Sequence, residues 1–188
     1  MWITPWLLVL FVSSLLGCAQ STVGPDRPIS WATPVQVEGL AHIYKITDYL
    51  YRSEQPTAEE MKDLERMGIK TIINLSVYDS DSDEIKGTGL HVEELSVKPW
   101  HIEDEDVVRV LRIIRKRENG PFLIHCWKGS DRVGVMIAMF RIIEQGWTKE
   151  EAIHEMVEGG YGYNRAWINI LQYVKRVDVE KIRKELEK

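Results

Sequence analysis

Thiols are scarce in this sequence: Cys18 and Cys126 are the only two among 188 residues. If either has another role, no disulfide framework remains. The five histidines are scattered, and no His/Cys cluster has metal-ligand spacing. The glycine pattern of a dinucleotide-binding turn is also missing. No cofactor and no metal are therefore expected. Positive charge is in deficit, with 24 Lys and Arg against 29 Asp and Glu and a net charge of −5. That balance gives no reason to expect a nucleic-acid partner. There is no internal repeat, and the one long apolar run, Trp2 to Leu16, has 15 residues. A bilayer-spanning helix needs about 20.

That short run reads as the core of a signal peptide. It ends Leu15-Leu16-Gly17-Cys18, which resembles the bacterial lipobox. The resemblance implies cleavage before Cys18 and lipidation of the new N-terminal Cys18, giving a membrane anchor of several acyl chains. No Lys or Arg precedes the run, and an uncleaved membrane-associated segment is the alternative. Ala19 lacks the Asp associated with inner-membrane retention, so the expected location is the outer membrane facing the periplasm where the host has one. With Cys18 lipidated, Cys126 is left as a lone thiol in an oxidising compartment, which hints at use.

Three regions follow: a lipoprotein-type signal peptide (1–17), a lipidated Cys with a flexible tether (18–40), and one domain (41–188). Gly24, Pro25, Pro28 and Pro34 mark the tether, with Trp31 placed to pack back on the domain. About 170 residues remain after cleavage, enough for one core. Two short strands surround Asp48. Thr57 with Glu60, and Thr148 with Glu151, form capping boxes that open helices. Thr71 to Leu75 and His91 to Val97 read as strands, and Asp79 to Gly89 as a surface loop or short helix. Asp104 is a candidate N-cap for a helix with Val107, Val110, Leu111 and Ile114 on one face. Val133 to Ile143 is a nearly all-apolar, buried helix, and one last helix runs from about Asn164 with a charged, solvated end. Strands alternating with helices predict an α/β fold with a short, mostly parallel central sheet flanked by helices.

Phe122 to Arg132 is the most informative stretch. A buried strand, Phe122 to His125, runs into Cys126-Trp127-Lys128-Gly129-Ser130-Asp131-Arg132, and an apolar helix follows. Free N–H groups and the helix dipole make a helix start an anion site. A field of that sign favours a thiolate, which is the nucleophilic form of a cysteine. Arg132 adds a planar fork able to hold two phosphoryl oxygens. The plain alternative is a packed structural Cys126 and a surface Arg132.

This loop resembles the His-Cys-x5-Arg signature of the Cys-dependent protein tyrosine and dual-specificity phosphatases, with Gly129 at its turn. The resemblance implies attack by Cys126 on a phosphate monoester, a phosphocysteine intermediate, and hydrolysis of that intermediate by water. Trp127, Lys128, Gly129, Ser130, Asp131 and Arg132 would hold the phosphate, and His125 would orient the loop. The family's general acid is an Asp on a loop before this strand, here Lys98 to Asp106. Asp104 is the first choice, with Asp106, Glu103 and His101 as rivals. Val133 stands where the family usually has Ser or Thr, which predicts slow breakdown of the intermediate.

Tyr51-Arg52-Ser53-Glu54-Gln55-Pro56, Gly68-Ile69-Lys70, Ile73-Asn74-Leu75, Gly146-Trp147 and Gly159-Gly160 resemble the bacterial and fungal dual-specificity-like branch. The match covers about residues 42–175. Arg52 either lines the pocket or pairs with acidic neighbours, and pairing is the expectation. The expected partner is a phosphorylated protein, through phosphotyrosine or phosphoserine/threonine, or a small phosphate ester. Two other classes remain: a phosphate-binding pseudophosphatase with little turnover, and a rhodanese- or arsenate-reductase-like thiol enzyme.

Overall fold

The structure, a computed structural model, describes residues 27–37, 39–40 and 42–188. The signal-peptide reading and Cys18 lie outside these residues. No helix among the described residues is long and apolar enough to cross a membrane.

Six strands form one sheet: β1 (Thr33–Pro34), β2 (Tyr44–Thr47), β3 (Leu50–Ser53), β4 (Thr71–Asn74), β5 (His91–Glu94) and β6 (Phe122–His125). Their spatial order is β1-β2-β3-β6-β4-β5. The pairs β3–β6, β6–β4 and β4–β5 are parallel, and the two pairs at the β1 edge are antiparallel. Among the described residues six α-helices and one 3-10 turn (Arg117–Asn119) complete the fold: α1 (Ala58–Arg66), α2 (Asp104–Arg115), α3 (Asp131–Glu144), α4 (Lys149–Glu158), α5 (Ile168–Arg176) and α6 (Val179–Leu186). This is the expected α/β architecture.

Strand alternation divides the core. Phe122 and Ile124 of β6 face a large cluster built with α2 to α6, while Leu123 faces a smaller one with Met61 and Leu64 of α1. Continuing the alternation puts His125 on the α1 side and Cys126 in the large cluster. The strand thus fixes which way the thiol points. Helix α3 is buried from Val133 to Ile143, as its composition predicts. Arg141 within it is the exception in polarity. Its guanidinium donates to both carboxylate oxygens of Glu155 at 2.7 and 2.9 Å. Removing one partner of a buried pair of this kind costs about 3–5 kcal/mol.

Both capping boxes form. At α2 the cap is Glu103, not Asp104, and Asp106 completes a box with it. Residues 79–89 contain turns but no helix. The C-terminal region is two helices, not one. Val177 takes an extended ψ of 137°, and the Asp178 side chain accepts from the Lys181 N–H to start α6. The flexible-tether expectation also changes for residues 27–35. Ala32 is buried and its N–H donates to Glu155 at 2.7 Å. Trp31 stacks edge-on against His154 at 5.1 Å. Thr33 and Pro34 pair with β2. Proline is tolerated there because β1 is an edge strand.

Candidate active site

Cys126 follows directly from β6, and residues 126–131 arch over to the first turn of α3. Gly129 makes the arch possible. Its φ is +63°, and a Cβ would meet the Ser53 carbonyl oxygen at 2.3 Å. The loop carbonyls are tied down from within the loop and from outside it. Gly129 N–H donates to the Cys126 carbonyl at 3.2 Å, and Gln55 N–H to that of Trp127 at 3.4 Å. The Arg52 guanidinium donates to the carbonyls of Gly129 at 2.6 Å and Ser130 at 3.3 Å. In a trans peptide the carbonyl and the following N–H point in opposite directions. The N–H groups of Lys128, Ser130 and Asp131 therefore turn toward the inner side of the arch. Backbone N–H groups converging in this way can hold an anion.

The inner side is a cavity of about 410 Å³. Cys126, Trp127, Lys128, Ser130, Asp131 and Arg132 form one wall, facing Pro99, Gly162, Asn164 and Trp167. Cys126 is almost buried, at 3% exposure. Arg132 donates to the Leu75 carbonyl at 3.0 Å and reaches that of Val97 at 3.5 Å. These contacts anchor Arg132 where it lines the cavity. Trp127 is 67% exposed, and Lys128 lies 5.4 Å from its ring centre, which gives the mouth one aromatic and one cationic element.

The signature-loop residues singled out from the sequence thus come together, and His125 lies on the opposite face of the strand from Cys126, with Asp81 and not a loop group as its side-chain partner. Its Nε2 lies 2.6 Å from Asp81 Oδ2, and both side chains are fully buried. Nothing in the sequence marks the partner, since Asp81 sits in an acidic stretch that resembles any solvated loop. Arg52 does neither of the things expected of it. It lies behind the loop with its guanidinium 3.9 Å above the Tyr161 ring, holding carbonyls. Burial lowers its pKa, while nearby Tyr161, Glu155 and Cys126 act in the opposite sense.

The structure places the general-acid candidate Asp104 outside the Cys126 cavity. Asp104 lines a separate cleft with Trp100, Ile168, Tyr173 and Lys181. Lys181 Nζ donates to it at 2.7 Å and the Tyr173 hydroxyl at 3.1 Å. Burial and this carboxylate push the Tyr173 phenol up, so it stays a neutral donor. Position at the start of α2 turns Asp104 toward α5 and α6 instead of the thiol. Of its rivals, Asp106 accepts from the Glu103 N–H and Arg109, and Glu103 pairs with His101. Among the described residues, the one carboxylate on the wall of the Cys126 cavity is Asp131. It accepts from the Asn164 N–H at 2.8 Å and has the Ser130 hydroxyl at 3.3 Å.

Comparison with known proteins places this geometry. The model of a tyrosine phosphatase family matches residues 41–186. The dual specificity protein phosphatase TpbA of Pseudomonas aeruginosa is 32% identical over 186 residues, covering 97% of this chain and 84% of that protein. A crystal structure of P. aeruginosa TpbA in complex with phosphotyrosine, with a cysteine replaced by serine, matches with a TM-score of 0.78 at 31% identity. It covers 86% of this chain and 98% of its own. The catalytic core of the S. cerevisiae PP-IP phosphatase Siw14 matches with a TM-score of 0.69 at 24% identity over 79% of this chain and 93% of its own, a likeness of fold.

Proposed function

The chain belongs to the tyrosine phosphatase family, and we propose that it acts on phosphotyrosine-bearing polypeptides at a membrane surface. It is a Cys-dependent phosphatase that hydrolyses phosphate monoesters. The observation that carries the finer reading is the cavity itself. Cys126 and Arg132 share its wall with two indoles, Trp127 and Trp167, which suit the flat ring of a phosphotyrosine. TpbA, which binds phosphotyrosine in its solved complex, supports the same reading. A tyrosine-phosphorylated peptide should be turned over at least about tenfold faster than its phosphoserine counterpart, a difference of about 1.4 kcal/mol in barrier. Equal rates would remove the aromatic preference.

The steps follow from the residues. The Cys126 thiolate attacks phosphorus in line. An S–P bond forms while the bond to the leaving oxygen breaks, and Arg132 with the loop N–H groups holds the remaining oxygens. Asp131 gives its proton to the leaving oxygen. It then takes a proton from the water that cleaves the S–P bond, freeing phosphate and restoring the thiolate. A good leaving group needs no proton. Asp131→Asn should therefore lower kcat about 10²- to 10⁴-fold with phenyl phosphate, and far less with p-nitrophenyl phosphate. Equal losses on both substrates would deny Asp131 the proton.

The membrane part of the reading rests on Leu15-Leu16-Gly17-Cys18 after the apolar run. Cells fed labelled palmitate should incorporate it into the chain, and Cys18→Ala should abolish labelling and release the protein from membranes. Label retained in the variant would assign the anchor elsewhere.

A further inference from the structure

We propose that the segment ahead of the family domain is a positioning element for the signature loop, acting from Arg27 through Tyr161 and Arg52. The proposal rests on the reading of residues 126–132 as the catalytic loop. The family match begins at residue 41, so Arg27 lies outside it.

The contacts form an unbroken line. Arg27 donates to the Gly159 carbonyl at 2.6 Å and to the Tyr161 hydroxyl at 2.7 Å. It also donates to the Ala32 carbonyl at 2.7 Å, which closes its own segment into a loop. Tyr161 is 2% exposed and its hydroxyl donates to Glu155 at 2.9 Å. Glu155 is in turn held by Arg141. The phenol therefore bridges a cation and an anion, which fixes its ring. Burial pushes its pKa up, so the bridge stays protonated. On that ring lies the Arg52 guanidinium, 3.9 Å from its centre. The same guanidinium holds the carbonyls of Gly129 and Ser130.

Physical necessity runs through the last link. Arg52 is fully buried, and its Nε has no hydrogen-bond partner among the described residues. A buried guanidinium in that state depends on its ring platform and on the two carbonyls for placement. If the ring tilts, the carbonyls lose their anchor, and the N–H groups on their inner side leave the positions that phosphate requires. Displacements of about 1 Å in such a cradle cost about 10²-fold in rate. Arg27 touches neither thiol nor cavity and acts only by locking the platform.

The test uses the full chain and p-nitrophenyl phosphate. Arg27→Ala is expected to lower kcat about tenfold to a hundredfold and to weaken inhibition by vanadate, measured where circular dichroism shows the variant fully folded. Tyr161→Phe keeps the ring, removes one oxygen, and should fall in the same direction. The double variant should be no worse than Arg27→Ala alone, because both cut one line. Wild-type kcat and vanadate inhibition in both single variants, with only the melting temperature lowered, would overturn the proposal. Independent, multiplying losses would overturn it as well. An inactive wild-type chain would instead fault the reading of the loop.

Discussion

Cys126→Ser is expected to abolish turnover of p-nitrophenyl phosphate, with a loss of at least about 10⁴-fold in kcat. Binding should survive. On the proposed mechanism the phosphate oxygens are held by Arg132 and the inward N–H groups of Lys128, Ser130 and Asp131, and serine disturbs none of them. A serine hydroxyl at the same place is a far weaker nucleophile toward phosphorus than a cysteine sulfur. Isothermal titration of the variant with a phosphotyrosine peptide should give a dissociation constant within a few-fold of the wild-type KM, roughly 1 kcal/mol. Turnover retained in the variant would mean that the reacting atom lies elsewhere. Loss of binding along with turnover would mean that the thiolate, not the cradle, holds the substrate.

Gly129→Ala should be nearly as damaging, by a different route. The new methyl group would sit 2.3 Å from the Ser53 carbonyl oxygen, 2.4 Å from its carbon and 2.5 Å from the Glu54 nitrogen. All three are backbone atoms at the end of β3, so no rotamer can relieve the clash. A φ of +63° adds strain for any residue with a Cβ. The loop must lift away from β3, which breaks the Arg52 bonds to the carbonyls of Gly129 and Ser130. A loss of about 2–4 kcal/mol in stability is expected, read from the urea midpoint, with kcat down more than about 10²-fold. A midpoint and kcat both unchanged would show that the loop tolerates a second conformation.

The parts of the site carried by local chemistry were legible in the sequence. An apolar run, a glycine at a turn and an apolar helix sufficed to place Cys126 and Arg132 on one loop. Capping boxes marked two helix starts, because the groups involved lie three residues apart. What escaped was every contact set by tertiary approach. Asp104 has the composition of a general acid, but its direction is decided by Lys181 and Tyr173, some seventy residues further on. Asp81 lies 44 positions from His125, in a stretch whose composition says only solvent. Arg52 is expected from the sequence to pair with acidic neighbours, the more common state of such an arginine. In space it finds a ring and two carbonyls. The break at Asp178 was readable in principle, since an Asp three residues before a lysine N–H is a standard start signal, but the charge-rich helical pattern runs straight across it.

Four strands end level with one another: Ser53 beside His125, His125 beside Asn74, and Asn74 beside Glu94. One edge of the sheet therefore carries all the segments that surround a substrate, and the opposite edge carries none of them. Such an arrangement separates the inheritance of a scaffold from the invention of a specificity. Residues 98–103 and 162–167 bring Pro99, Gly162, Asn164 and Trp167 to the cavity, so exchanges there change what the mouth admits without repacking the sheet. A family built this way can diversify its substrates by exchanging loops, and a protein engineer can do the same with this chain.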